Sequence, residues 1–452
     1  MAKSANSKKK DAPAKPDGIT RISVAGFKSI AEEQSIEVRP LTILAGANSS
    51  GKSSIMQPLL LLKQTLEAPY DPGALRLDGP NVRFTAADQF LSHVGHNKYT
   101  GVFSIGIEAG ERGDLTTYFK KRLGKPIEVQ KSIFIKDDIK TVLRPDMSPD
   151  ELDLVRFSDE FPNSFHTFYD RLIYPDRFLI GISFKKNAMR TMFNYYDEEY
   201  LYTPGRDIET FIRETIHIPG LRGNPERMYV VAAVGSTFTG TFENYVASVI
   251  ATWQADDNDK LDGLNRDLKE LGLTSKVTAK PLNDTQVELQ VARLPQVAKG
   301  RGGDMVNIAD VGLGVSQTLP VVVALRVAKP GQLVYLEQPE IHLHPRAQTA
   351  MAKVLADAAG RGVHVVAETH SALLILGIQT LVAEGKLAPE LVKLHWFERR
   401  DGVTKVRSAD LDEAGSFGDW PEDFADVALE AQSRYLDAVE ARTTQRKRRR
   451  AG

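Results

Sequence analysis

Short apolar runs separated by glycine and polar turns dominate this chain, and their length and periodicity set the expected elements. Residues 20–24 and 34–38 alternate apolar and polar side chains on either side of Gly26-Phe27-Lys28-Ser29, as two strands of an antiparallel ribbon do. Leu41-Thr42-Ile43-Leu44-Ala45 is apolar and β-branched, which suits a buried strand. Past a glycine-bearing loop, Ser54-Ile55-Met56 leads into Leu59-Leu60-Leu61-Leu62, apolar enough for a buried helix that Pro58 should bend. Strand-like runs follow at 102–107 and 132–135, then a strand at 228–234, helical periodicity at 242–253 and 260–271, and alternation at 287–291. The last third reads as an apolar helix at 319–327, an apolar strand ending in acidic residues near 337, a helix at 347–359 and a strand at 362–367. A hairpin at 392–397 and 404–407 turns through Arg399-Arg400-Asp401-Gly402. The expected fold class is α/β: a mixed, mainly parallel sheet with helices on both faces, assembled from the two ends of the chain around an inserted region.

The punctuation suggests boundaries. Residues 1–18 form a basic, disordered tail, 19–100 the first part of the core, 101–219 an inserted α/β region, 220–400 the second part of the core, 401–440 a small C-terminal module and 441–452 a basic tail. Prolines and glycines interrupt every heptad run in the insertion, which argues against a long coiled-coil arm. With 452 residues, 42% of them hydrophobic, the chain can bury a large core. A net charge of -1 gives no global pull toward nucleic acid, so DNA or RNA contact would rest on the tails, where Arg446-Lys447-Arg448-Arg449-Arg450 is either a phosphate-binding run or a solvated end. There is no cysteine, which excludes disulfides and thiolate chemistry and fits a cytoplasmic location. No apolar run approaches the roughly 18 residues that cross a bilayer, so no membrane partner is expected.

Candidate chemistry sits first at Gly46-Ala47-Asn48-Ser49-Ser50-Gly51-Lys52-Ser53, which fills every fixed position of G-x-x-x-x-G-K-[ST] between a strand and a helix. There the backbone of Gly46, Asn48, Ser49, Ser50, Gly51 and Ser54 would cradle phosphates with the help of the helix dipole. Lys52 would reach the β and γ phosphates of ATP and Ser53 would ligate Mg²⁺. A second anion-binding helix start is suggested by Gly312, Gly314, Ser316 and Gln317, although this short pattern alone is more often a plain cap. Glu337, Gln338 and Glu340 close a hydrophobic strand, and a carboxylate such as Glu337 at such a strand end is how these folds hold Mg²⁺ beside a phosphate loop. His342 and His344 follow on a turn, where two histidines two apart are more often hydrogen-bonded loop residues than a metal site. Glu368-Thr369-His370-Ser371 ends the next strand. Arg222 and Arg227 flank a rigid turn, where structural bonding is favoured over phosphate contact.

The order I-x-V-x-G-F-K-S-I from Ile22, then the glycine loop, resembles the N-terminal edge of ABC-type ATPases of the RecF, SMC and overcoming-lysogenisation-defect group, whose ribbon covers the adenine side of the nucleotide. That resemblance implies a P-loop ABC-type ATPase head. It makes Gly312, Gly314, Ser316 and Gln317 the signature motif that grips the γ-phosphate across a head-to-tail dimer, and Glu337 the Walker B magnesium residue. It makes His370 the switch histidine and Gln89 the candidate loop glutamine that senses Mg²⁺ and the γ-phosphate, although a glutamine in such a turn-rich stretch is more often a solvated loop residue. It places Gln338 where a catalytic glutamate is usual; an amide accepts no proton near neutral pH, so either hydrolysis is slow or gated, which is the expectation, or Glu340 or Glu368 serves as base. It assigns the E-x-H-L-H-P turn to the dimer seam. The spacing G-x-x-x-x-W-P-x-x-F ending at Phe424 resembles the C-terminal module of a broad family of bacterial AAA/ABC-type ATPases, with Trp420 and Phe424 anchoring a small lid. Members of the group act in DNA repair and antiphage defence. No Toprim-like acid triad or H-N-H pattern is present, so the expected partner is a separate effector nuclease beside an ATP-closed homodimer or higher oligomer. The alternatives are a RecF-like protein that binds DNA itself and an ATP-binding regulator without useful turnover.

Overall fold

A computed structural model of the chain describes residues 17–93, 99–156, 169–186, 199–256, 258–293 and 304–418, with Arg434 alone beyond them. Trp420, Phe424 and both basic runs lie outside the described residues. The chain opens with β1 (Arg21–Ala25), β2 (Gln34–Glu37), β3 (Leu41–Gly46) and α1 (Lys52–Leu66), the last continuing through Pro58. It divides into two compact units, made of the described parts of Met1–Val38, Ile55–Thr215 and Lys329–Leu333, and of Arg39–Ser54, Ile216–Ala328 and Val334–Gly452.

The first unit is built on an antiparallel sheet in the order β2-β1-β4-β5-β6-β7, with β4 (Val102–Glu108), β5 (Asp114–Lys121), β6 (Ile127–Lys136) and β7 (Ile139–Leu143). Alternation along β1 puts Ile22 and Val24 in the core, Ile22 opposite Ile36 on one side and Ile107 on the other. Below lie Phe27, Phe84, Phe90 and Phe103, with Phe27 and Phe90 stacked at 5.5 Å. A second antiparallel sheet joins β8 (Tyr169–Asp176), β9 (Leu179–Lys186) and β10 (Glu199–Tyr202). A helix, α2 (Arg206–Glu214), carries Arg213, whose carbonyl accepts from the buried Lys63 at 2.9 Å while Glu67 pairs with the same ammonium.

The second unit holds a mixed sheet in the order β11-β16-β17-β3-β18-β19. Its strands are β11 (Ile216–Ile218), β16 (Leu333–Glu337), β17 (His364–Thr369), β18 (Val392–Arg400) and β19 (Val403–Ala409), besides β3. β11 runs parallel to β16, and β3 parallel to both β17 and β18, whereas β18 and β19 form an antiparallel hairpin. β3 and β17 are buried at every position; β3 reads as an apolar run broken only by Thr42, whereas β17 carries His364, Glu368 and Thr369 around Val365-Val366-Ala367. Helices α3 (Val246–Asp256), α4 (Asn258–Glu270), α5 (Leu313–Val327), α6 (Pro345–Gly360) and α7 (Ala372–Ala383) share one hydrophobic core with this sheet. A smaller antiparallel sheet contains β12 (Tyr229–Val230), β13 (Val277–Asn283), β14 (Gln286–Ala292) and β15 (Met305–Asn307).

Three expectations need correction. The strand at 228–234 shrinks to Tyr229–Val230, because Ala232 N turns out of the ladder to donate to Ser248 Oγ at 2.8 Å. The apolar helix begins at Leu313 rather than 319, with Gly312 as its N-cap and Gly314 inside its first turn. The segment from 242 starts as a 3₁₀ turn, Phe242–Tyr245, before α3. Among the described residues no helix is long and apolar enough to cross a membrane.

Candidate functional site

β3 delivers the glycine loop at its C-terminal end. Gly46 has φ 141°, and a Cβ there would lie 2.3 Å from the carbonyl oxygen of Phe397, so only glycine lets the loop start beside β18. Left-handed Ser49 (φ 60°) and Gly51 (φ 103°) then curl the backbone, a conformation that turns successive N–H groups toward one concavity. Thr404 Oγ1 pins the curl by donating to Ser50 O at 2.7 Å. Lys52, at the start of α1, is 5% exposed, and its ammonium donates to Gly46 O at 3.0 Å and Ala47 O at 2.9 Å. Burial pushes its pKa down, against the opposing charges of Glu368 and Glu340.

Ser53 Oγ donates to Glu368 Oε2 at 2.9 Å, joining the first turn of α1 to the end of β17. The other Glu368 oxygen accepts from the buried Tyr335 hydroxyl. Burial, reinforced by the charge of Glu337, raises the Glu368 carboxyl to about 7, while the Tyr335 and Ser53 hydroxyls and Lys52 pull it back. Glu337 behaves oppositely. Burial favours its acid form, but a bond at 3.1 Å to His217 Nε2, that ring's charge, the Gly220 amide at 3.0 Å and Arg222 outweigh it and hold the carboxyl below its usual value. His217 in turn stacks on Tyr335, ring centroids 5.3 Å apart.

Gln338 stands at φ 46°, a left-handed conformation uncommon for a side chain of its size, with its N–H on Glu368 O at 2.9 Å. Glu340 is buried; its Oε1 accepts from Thr369 Oγ1 at 2.6 Å and from the His370 amide at 3.2 Å, and burial raises its pKa. Burial and then Lys52 lower the His370 pKa, with the Gly46 backbone pulling the other way. His342 is exposed at φ 65°, and His344 caps α6, its ring accepting from the Arg346 amide. Among the described residues no cluster of three His, Asp or Glu side chains could hold a metal by itself. Mg²⁺ is commonly held by one or two carboxylates plus phosphate oxygens, so Ser53 Oγ with Glu368 and Glu337 is a fitting hard-oxygen donor set.

The second unit therefore gathers Lys52, Ser53, Glu337, Gln338, Glu340, Glu368 and His370 at the C-terminal ends of β3, β16 and β17, where ligands of such sheets bind. Gln89 belongs to the first unit; its amide oxygen accepts from Thr85 N at 2.9 Å and its Nε2 donates to Thr85 Oγ1 at 2.8 Å. On α5, Ser316 is buried, with Oγ on Leu313 O at 3.3 Å, and Gln317 Nε2 donates to Gly223 O at 2.9 Å. The hydroxyl expected to point outward thus turns back on its own helix. Arg227 pairs with Asp310 at 2.6 Å, the structural salt bridge favoured above, whereas Arg222 forms no such bridge and donates from one guanidinium nitrogen to backbone carbonyls. Sequence reasoning missed His217 and Tyr335, whose signal was a polar side chain centred in an apolar strand.

The fold and this loop together define a P-loop nucleotide-binding domain of the AAA class. More particularly, residues 41–376 match the family described as "AAA domain, putative AbiEii toxin, Type IV TA system", and the chain belongs to that family. Solved structures similar to it include an SMC head bound to the C-winged helix domain of ScpA, at 15% identity and TM-score 0.45 over 88% of this chain and 99% of that one. The SMC head domain from Thermotoga maritima gives 10% and 0.36 over 86% and 98%. An Smc head with an extended coiled coil bound to the C-terminal domain of ScpA, derived from Pyrococcus furiosus, gives 12% and 0.41 over 94% and 99%. A comparison with curated protein sequences gives no match.

The raised Glu368 pKa makes stability depend on pH. Relative to an unfolded carboxyl at 4.5, a folded value of about 7 means that this group's favourable contribution is complete below about 4.5 and lost as pH rises to about 7. In nucleotide- and magnesium-free protein, the loss is on the order of 3 kcal/mol. Urea unfolding of the wild type from about pH 5 to about pH 8 should therefore fall more steeply than that of Glu368→Gln. Parallel pH profiles for the two proteins would show that Glu368 ionises normally.

Proposed function

We propose that this protein binds ATP with Mg²⁺ at the Gly46–Ser53 loop, closes as a homodimer on it, and hydrolyses it slowly. The observation that carries this reading is the bond from the phosphate-loop hydroxyl of Ser53 to Glu368, beside a buried Lys52 whose charge is held inside the loop. When bound, Mg²⁺ would screen phosphate charge, with Ser53, Glu368 and Glu337 as its protein ligands. Lys52 binds the phosphates, the curled loop orients them, and His370 approaches from the neighbouring strand end. In the dimer, Gly312 and Gly314 at the start of α5 would face the partner's nucleotide, and Ser316 would join them by turning its hydroxyl away from Leu313 O. The protein then serves as a cytoplasmic sensor or motor subunit in antiphage defence or DNA processing, with a separate nuclease as effector.

The dimer has a direct test. Lys52→Ala and Ser316→Ala should each be inactive alone, whereas an equal mixture should regain about a quarter of wild-type sites, since half of the dimers are mixed and each mixed dimer keeps one intact composite pocket. A mixture as inactive as its components sinks the shared pocket. The basic run at 446–450 supports a second reading, a RecF-like protein that binds DNA itself; ATP-dependent DNA binding that falls steeply with salt would select it.

A further inference from the structure

Arg222 is 6% exposed, yet only one of its three guanidinium nitrogens is engaged: Nη2 donates to Glu337 O at 2.9 Å and to Gln338 O at 3.3 Å. Among the described residues, Nε and Nη1 have no partner. Arg222 lines a cavity of about 360 Å³ within the second unit, walled by Tyr229, Leu289, Ile308, Leu319 and Pro320. Glu243 lines the same cavity, and its Oε1 is also buried without a partner. No residue of the phosphate loop contributes to this cavity, whereas Ser316 of α5 does line it.

Buried polar groups are almost always satisfied, so two unpaired donors and an unpaired acceptor around one cavity indicate a group that satisfies them. Charge decides its nature. A free anion would gain from Arg222 but be repelled by Glu243 and by Glu226 on the exposed rim, and a cation would meet the buried guanidinium, whereas an uncharged group with an acceptor and a donor on one edge suits Arg222 and Glu243 together. Apolar walls with a tyrosine ring favour a planar body, and the volume lies within the range of small-ligand pockets. We infer that this cavity is a second small-molecule site that takes a nucleobase, its ring acceptor bound by Arg222 and its exocyclic or ring N–H by Glu243. A bound base fixes the guanidinium that also holds the Glu337 and Gln338 carbonyls. Gln317, on α5, holds the other side of the same turn through Gly223 O.

The test uses nucleosides, which lack the phosphates that the Gly46–Ser53 loop would bind. Guanosine, adenosine and cytidine are titrated separately, up to about 5 mM, into the full-length protein without ATP by calorimetry or ligand-observed NMR. At least one should bind with Kd between about 10 μM and about 1 mM, and Glu243→Gln should weaken it at least about tenfold. Val230→Trp, at an exposed position of the cavity wall, should block it with the fold intact by circular dichroism. Lys52→Ala should leave nucleoside binding unchanged, so failure of the ATP reading and failure of this one separate. Binding by none of the three, equal affinity in Glu243→Gln, loss in Lys52→Ala, or displacement by acetate or inorganic phosphate would each overturn the assignment.

Discussion

Lys52→Ala should weaken ATP binding at least about tenfold and lower turnover by about 10²–10³, the range seen when one preorganised donor to a transition-state oxygen is removed. The size of the effect follows from where the ammonium sits. It is buried, and among the described residues its bonds run to two carbonyls of its own loop, so it is positioned by backbone that ordinary side-chain motion cannot shift. Burial also lowers its pKa, a sign that the site holds the charge with little water around it, where a phosphate oxygen is worth more than it is in solvent. The fold should survive, because Gly46 beside Phe397 and the Thr404 bond to Ser50 set the loop independently of the lysine side chain. Lys52→Arg should fail almost as badly, since a planar fork does not fit where a compact ammonium is enclosed. Calorimetric ATP titration and phosphate release measure both effects; a folded Lys52→Ala protein with undiminished affinity would exclude the loop as the nucleotide site.

Much of the second unit was legible because its central strands are buried on both faces. β3 appears as an apolar run broken only by Thr42, β17 shows its Val365-Val366-Ala367 core, and the hairpin at β18 and β19 is marked by Asp401 and Gly402, both at positive φ. The helix after Pro345 shows in sequence because proline suits a first helical position. What the pattern does not carry is which strand lies beside which. Glu368 meets Ser53 only because β17 runs parallel to β3 in the register that sets Glu368 opposite Leu44, across 315 positions of chain. His217 reaches Glu337 through the parallel register of β11 and β16, in which it stands opposite Tyr335. Parallel neighbours come from distant segments, so periodicity identifies such strands without pairing them. The carboxylate nearest the phosphate-loop hydroxyl is therefore a residue that sequence order weighed only as a substitute base.

Gln338→Glu should raise ATP turnover by about 10²-fold, the lower end of what a positioned general base contributes. The two side chains share shape and length, and the backbone that presents them is fixed: the Gln338 N–H is held by Glu368 O, and its carbonyl accepts from Ile341 N at 3.1 Å and from Arg222. The left-handed φ of 46° is unaffected by an amide-to-acid exchange, so the substitution alters proton acceptance and little else. An amide orients water by hydrogen bonding but takes no proton near neutral pH, whereas a carboxylate does both. The neighbouring acids are poorly placed to compensate. Glu340 spends one oxygen on Thr369 and His370 while the other is buried without a partner, and Glu368 is bonded through both oxygens to hydroxyls. Single-turnover phosphate release, with protein in excess over ATP, isolates the chemical step. If Gln338→Glu matches the wild-type rate, Gln338 does not stand at the base position and the slow-hydrolysis reading falls with its assigned place.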